Sequence, residues 1–259
     1  MSPATQSNGA DSVQTFASAG ATLAYEIDFP AGSGPVPAVV LGHGSGRLTR
    51  EHLRFLANGW RSRGFAVLRF DKRGVGQSTG NYSGMNAANS QELVATLAGD
   101  IAAAVRVLRA RPEIDPTRVG LSGMSQAGWI LPVAARSLGD VPFMVILSGP
   151  VCTIGEEMFY SDLAERTTTP MDEIYKRLPE FRGPHGYDPV PVLNAIDTPT
   201  LWLLGLDDRS IPIRTTLANL GVLAASGKPF EWRTYDGVGH ELSGAIWNDI
   251  ESWAQRFKR

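Results

Sequence analysis

Val119-Gly-Leu-Ser-Gly123-Met-Ser125-Gln-Ala127-Gly128-Trp-Ile130 runs from a short apolar strand, through a tight turn of small residues, into the start of an apolar helix. A serine at the apex of such a turn is lifted clear of the sheet, its hydroxyl exposed and its backbone sharply bent. That pattern is a nucleophile elbow, with Ser125 as candidate nucleophile. Small neighbours are required because strand and helix pass too closely there for bulk. Where the second glycine of G-x-S-x-G would stand, the chain has Ala127, one methyl group away.

A serine hydroxyl needs a base to take its proton. Of the four histidines, His43, His52, His185 and His240, the last sits in Asp236-Gly-Val-Gly-His240-Glu, just beyond the final predicted strand. The flanking glycines allow close approach to the serine, so His240 is the expected base. An acid should orient that base from a late strand end between serine and histidine. Leu204-Gly-Leu-Asp207-Asp208-Arg-Ser-Ile211-Pro212 occupies that place. Asp208 is preferred to Asp207, because Ile211-Pro212 three residues on would fix the turn and open the next helix. Donors for a developing oxyanion are expected from the backbone N–H of Gln126, at a helix start, and of Ser45 in the run Gly42-His43-Gly44-Ser45-Gly46. His43 reads as a brace for that loop rather than a second base.

Around these motifs, strands are expected at 13–17, 22–29, 38–41, 65–70, 118–122, 143–147, 200–204 and 230–235. Helices are expected at 50–63, 90–111, 126–136, 213–225 and 241–257. The helix over 90–111 is the plainest, with Leu93, Leu97, Ile101, Val105 and Leu108 at three- and four-residue steps and Pro112 as its stop. Alternating strands and helices after an N-terminal hairpin predict a mostly parallel central sheet with helices on both faces. Between 152 and 196 the apolar rhythm weakens, which reads as a short cap insertion. The domain organisation is therefore a tail at 1–11, a core of 12–151 and 197–259, and a cap at 152–196.

With 259 residues and 43% hydrophobic composition, the chain can bury a full core. A net charge of -2 gives no electrostatic case for nucleic acid. The single Cys152 rules out an intrachain disulfide and fits a reducing compartment. Residues 1–11 lack a signal-peptide pattern, and no apolar run approaches the roughly 20 residues that span a bilayer. A cytoplasmic protein without membrane partners is expected. No metal-ligand spacing occurs, and no cofactor motif holds: in Phe70-Asp71-Lys72-Arg73-Gly74-Val-Gly76-Gln-Ser78-Thr-Gly80 the third glycine of a phosphate loop arrives one residue late. Asp71 and Arg73 are expected to form a structural ion pair.

Together these motifs resemble the α/β-hydrolase fold superfamily over nearly all of 13–257. The runs 43–46, 71–80 and 125–130 are most similar to bacterial serine esterases related to serine aminopeptidase and prolyl-oligopeptidase-type catalytic domains. The resemblance implies Ser125, Asp208 and His240 as a catalytic triad, without metal or cofactor, in a carboxylesterase-type enzyme acting on a small-molecule ester. The chain departs from the subgroup at Ala127, and it has no room for the propeller of the true oligopeptidases.

Two other readings stand beside the esterase. An aminopeptidase-like enzyme or a thioesterase could use the same triad, and Glu156-Glu157 is the kind of carboxylate pair that would hold a substrate amine, although on a predicted exposed helix it also reads as a solvated face. A non-catalytic binding protein could keep the fold. Phe159, Tyr160 and Tyr175 could line an acyl pocket or simply pack the cap.

Overall fold

The central strands are buried along their length, their side chains alternate between two apolar faces, and the helices close over both. The computed structural model describes residues 13–32, 34–165, 167–242 and 244–258; the tail expected at 1–11 lies outside them. Strands β1 (Gln14–Ser18) and β2 (Ala21–Asp28) form the hairpin. They are followed by β3 (Val36–Gly42), a 3-10 turn at Arg50–Leu53 leading into α1 (Arg54–Arg61), and β4 (Ala66–Phe70). Next come α2 (Ser90–Arg109), β5 (Ile114–Met124), α3 (Ala127–Leu138) and β6 (Met144–Leu147). The segment expected as a cap holds α4 (Ile154–Ala164), α5 (Met171–Arg177) and α6 (Val190–Asn194). The chain then runs through β7 (Thr200–Gly205), α7 (Ile213–Ala225), β8 (Phe230–Tyr235) and α8 (Ile246–Ala254).

The eight strands form one sheet in the order β1-β2-β4-β3-β5-β6-β7-β8. The β1–β2 and β2–β4 pairs are antiparallel, and every other pair is parallel. On one face Ala38, Val40, Val119, Leu121, Met144, Ile146, Trp202 and Leu204 pack against α2, α3 and α7. Their neighbours Val39, Leu41, Phe143, Val145, Leu147, Leu201 and Leu203 meet Trp60 of α1 and Trp247, Ile250 and Trp253 of α8 on the other. Both faces are dry, as a parallel sheet requires. Among the described residues, no helix is long and apolar enough to cross a membrane.

Two helices start several residues later than expected. The helix expected from 50 opens as a 3-10 turn, with the His52 ring accepting from the Thr49 N–H. The helix expected from 241 starts only at Ile246, where its apolar face over Trp60 begins.

Register fixes where the chemistry-bearing loops emerge. Gly42 of β3 pairs with Gly123 of β5, Met124 with Leu147 of β6, Leu147 with Leu203 of β7, and Gly205 with Tyr235 of β8. The loops carrying Ser45, Ser125, Asp208 and His240 therefore leave the same edge of the sheet, at the carboxyl ends of its parallel strands.

Candidate active site

The turn after β5 holds Ser125 at φ +54, a left-handed conformation uncommon for a residue with a side chain. Its N–H donates to Leu147 O and its carbonyl accepts from Gly128 N–H, both at 2.8 Å. The bend is thus pinned to β6 on one side and to the first turn of α3 on the other. Gly123 is needed here, since a Cβ on it would come 2.6 Å from Ala127 Cβ and 2.8 Å from Gly42 O. The Ala127 methyl, fully buried, fills the space that Gly42 and Gly123 leave open. The departure from G-x-S-x-G is accommodated by two glycines across the strand pair.

After β7, Asp208 is completely buried. Its Oδ1 accepts from the N–H groups of Ser210 at 2.8 Å and Ile211 at 2.9 Å, and its Oδ2 lies 2.8 Å from His240 Nδ1. Asp208, not its neighbour Asp207, carries the contact. Burial works to lower the pKa of His240, but the hydrogen bond and charge of Asp208 outweigh it and lift the ring above the ordinary histidine value. The Nδ1 contact leaves Nε2 as the nitrogen free for a substrate-side proton.

Ser148, which sequence reasoning missed, fixes the histidine loop. It sits at φ +45 just beyond β6, and its Oγ donates to the backbone carbonyl of His240 at 2.8 Å. Leu147 and Ser148 thus tether both the Ser125 elbow and the His240 loop. The local signal was slight: a serine before Gly149-Pro150 at a strand end.

The Gly42–Gly46 loop lies beside the elbow, for a Cβ on Gly44 would be 3.5 Å from Ser125 Cβ. Lys72 holds that loop, donating from Nζ to Gly44 O at 2.6 Å and Gly46 O at 2.9 Å. It also donates to Gln126 Oε1 at 3.1 Å. Among the described residues, neither the Ser45 nor the Gln126 backbone N–H has an acceptor. His43 is buried with its ring edge-on to Phe70 at 5.0 Å, and burial, aided by Lys72, holds it at about 3. It is neutral at physiological pH, and its Nε2 has no hydrogen-bond partner among the described residues.

The ion pair expected between Asp71 and Arg73 does not form. Asp71 binds Arg50 through both side chain and backbone, and Arg73 binds Asp100 in two bonds of 2.8 and 2.6 Å. Each side chain finds a partner distant in sequence, which local spacing cannot reveal. The Asp71 carboxylate also explains why Gly74-Val-Gly76 is no phosphate loop. Asp71 Oδ2 stands 2.3 Å from where a Gly76 Cβ would be and accepts from Gln77 N–H, so the loop already encloses an anion of its own.

A cavity of about 300 Å³ opens beside His240, lined by His52, Phe55, Leu56, Met124, Leu147 and Leu242. The aromatics of 152–196 do not line it. Tyr160 is fully buried and donates to Asp208 O at 2.6 Å, Tyr175 accepts from Arg214 N–H, and Phe159 packs on Phe181. Glu156 and Glu157 are partly buried rather than a solvated face. Glu156 closes a capping box with Thr153. Burial, reinforced by Glu165, raises the Glu157 carboxyl to about 8.

Residues 51–257 match the profile of the prolyl oligopeptidase family. A stretch of 62 residues is 39% identical to the Carboxylesterase SOBER1 of Arabidopsis thaliana, covering 24% of this chain and 27% of that protein. The match thus spans about a quarter of that relative's length. An esterase of Pyrococcus furiosus superposes with a TM-score of 0.68 at 16% identity, covering 95% of this chain and 90% of the other. The acetyl xylan esterase from Paenibacillus sp. R4 superposes with a TM-score of 0.65 at 19% identity, covering 97% and 86%. At these identities the likeness is one of fold, the α/β-hydrolase architecture that this chain builds on its eight-stranded sheet.

Proposed function

The chain belongs to the prolyl oligopeptidase family, and we propose that it is a cofactor-independent serine hydrolase of small carboxylic esters, with Ser125, Asp208 and His240 as its triad. The observation that carries this reading is the buried Asp208 carboxylate 2.8 Å from His240 Nδ1, on the sheet edge from which the strained Ser125 also emerges.

In this mechanism His240 Nε2 takes the Ser125 proton as Oγ attacks the acyl carbon, and Asp208 stabilises the resulting imidazolium. The N–H groups of Ser45 and Gln126 hold the oxyanion of the tetrahedral intermediate. As that intermediate collapses, His240 protonates the departing alcohol and leaves an acyl-Ser125 ester. Water attacks the ester, giving a proton to His240, and the second collapse returns that proton to Ser125 and releases the acid. An apolar part of the substrate sits in the cavity of Phe55, Leu56, Met124, Leu147 and Leu242. Residues 152–196 act as a short cap over the core of 12–151 and 197–259, anchored by the Tyr160–Asp208 hydrogen bond.

The side chains of the cap favour an ester over an N-terminal peptide substrate. Glu156 is engaged in its own helix cap, and Glu157 is held neutral near pH 7, so no charged carboxylate pair is there to grip an ammonium. The test is hydrolysis of p-nitrophenyl acetate and butyrate by the wild type and Ser125→Ala, with fluorophosphonate labelling of the wild type. Turnover that requires Ser125 and a label on that residue support the reading. Equal rates for the two proteins would sink it.

A further inference from the structure

Three consecutive charged residues follow β4, and the outer two are matched: Asp71 with Arg50 and Arg73 with Asp100. The middle one is not. Lys72 is 1% exposed, takes part in none of the ion pairs among the described residues, and spends its three ammonium hydrogens on uncharged oxygens: Gly44 O, Gly46 O and Gln126 Oε1. The face of Tyr82 lies 4.2 Å from its Nζ, and the Tyr82 hydroxyl accepts from Gln126 Nε2 at 3.2 Å. Burial without a carboxylate partner pulls the Lys72 pKa down to about 7. The amine is therefore only partly charged at neutral pH in the resting site, and an anion forming beside it favours the ammonium. A lysine held at that cost for packing alone would be poorly chosen, since an apolar side chain of the same length fills such a site without desolvating a charge.

The bonds of Lys72 fall on the two backbone segments proposed to supply oxyanion donors. Gly44 O and Ser45 N–H belong to one peptide unit, and among the described residues no peptide bond is cis. In a trans unit the carbonyl and the N–H point in opposite directions. Anchoring Gly44 O on Lys72 therefore turns the Ser45 N–H away from the lysine and fixes its direction. An ammonium on the carbonyl also polarises the unit, which makes its N–H a stronger donor. On the other side, Lys72 holds the side chain of Gln126, whose backbone N–H is the second donor.

We infer that Lys72 is a positioning residue: its ammonium aims and polarises the Ser45 N–H and locks the Gly42–Gly46 loop to Gln126, so that both donors are set before the oxyanion forms. The inference rests on the acyl-transfer reading of Ser125. It extends that reading by placing an unpaired positive charge behind the oxyanion site.

The test uses p-nitrophenyl acetate and a trifluoromethyl ketone, whose adduct with Ser125 places an oxyanion between the two N–H groups. In Lys72→Met, kcat should fall about a hundredfold, as for loss of one oxyanion donor. KM should change by less than about threefold, because the substrate carbonyl carries no full charge. Affinity for the ketone should fall in proportion to kcat, and Lys72→Arg should recover part of both. In the wild type, the 15N resonance of Lys72 Nζ should shift when the ketone adduct forms, since coupling between charge and oxyanion is reciprocal. This second measurement decides the matter alone if Lys72→Met does not fold. An adduct on Ser125 that leaves the Lys72 resonance unmoved, or a folded Lys72→Met with wild-type kcat, overturns the inference while leaving the esterase reading intact. Failure of the ketone and of the fluorophosphonate to modify Ser125 overturns both.

Discussion

Asp208 Oδ2 lies 2.8 Å from His240 Nδ1, and the other oxygen of the same carboxylate is fixed by two backbone N–H groups two and three residues on. The acid is therefore held from its own turn and cannot rotate away from the ring. Asp208→Asn should preserve the fold but favour the wrong histidine tautomer, lowering kcat by roughly a thousand- to ten-thousandfold. Steady-state ester hydrolysis checks this.

The pH dependence follows from the same contact. As the proposed base, His240 works only when unprotonated, and its pKa lies above the ordinary 6.5 because Asp208 outweighs burial. Activity should therefore fall as pH drops through that raised value. For stability the sign is opposite: the raised pKa contributes stability that is full below 6.5 and lost as pH rises through the folded value. In Asp208→Asn the acid limb of kcat/KM should move to lower pH, and a limb that stayed in place would assign it to another group.

Ala127→Gly should be well tolerated. The methyl it removes fills the gap beside Gly42 and Gly123, so a loss of about 1 kcal/mol is expected, with ester turnover within a few-fold of wild type. Gly123→Ala should behave oppositely, because its Cβ meets Ala127 Cβ at 2.6 Å and Gly42 O at 2.8 Å. Overpacking there should cost roughly 1–3 kcal/mol and displace Ser125. Urea midpoints and activity measured on both variants separate the two cases.

Asp100→Ala should destabilise the protein without altering the site directly. It would strand Arg73, whose guanidinium is buried and bonded twice to that carboxylate. Breaking such a pair from one side costs about 3–5 kcal/mol. Denaturant unfolding should show the loss, while KM of the folded fraction stays near wild type.

Leu242→Trp should narrow the cavity beside His240. Rates on acetyl esters should hold, while those on hexanoyl esters should drop about tenfold or more, in line with the energy a few methylenes contribute in an apolar pocket. A chain-length series of p-nitrophenyl esters gives the answer, and an unchanged profile would place the acyl group elsewhere.

Much of the sheet and of the site was legible in the sequence, because both depend on local pattern. Apolar runs such as Ala38–Leu41 and Phe143–Leu147 mark buried strands, and glycine-flanked residues at their ends mark loops. Ser125, Asp208 and His240 were picked out as candidates that way, and the structure brings the last two into contact. What was not legible depends on pairing across the chain. Asp71 chose Arg50 over Arg73, Lys72 reached Gln126 54 residues on, and Ser148 found the carbonyl of His240 92 residues on. Glu156 was misread for a local reason, its capping box with Thr153 being written in the sequence as Thr-x-x-Glu ahead of an apolar helix.

The hydrogen bond from Tyr160 to the carbonyl of Asp208 has a consequence for redesign. Helix α4 and the acid-bearing turn share that bond, so the segment after β6 is not a detachable module that can be exchanged to alter substrate choice. A graft that replaces residues 154–164 inherits one fixed point: position 160 has to present a hydroxyl to the turn, or the new helix will loosen the turn that holds Asp208.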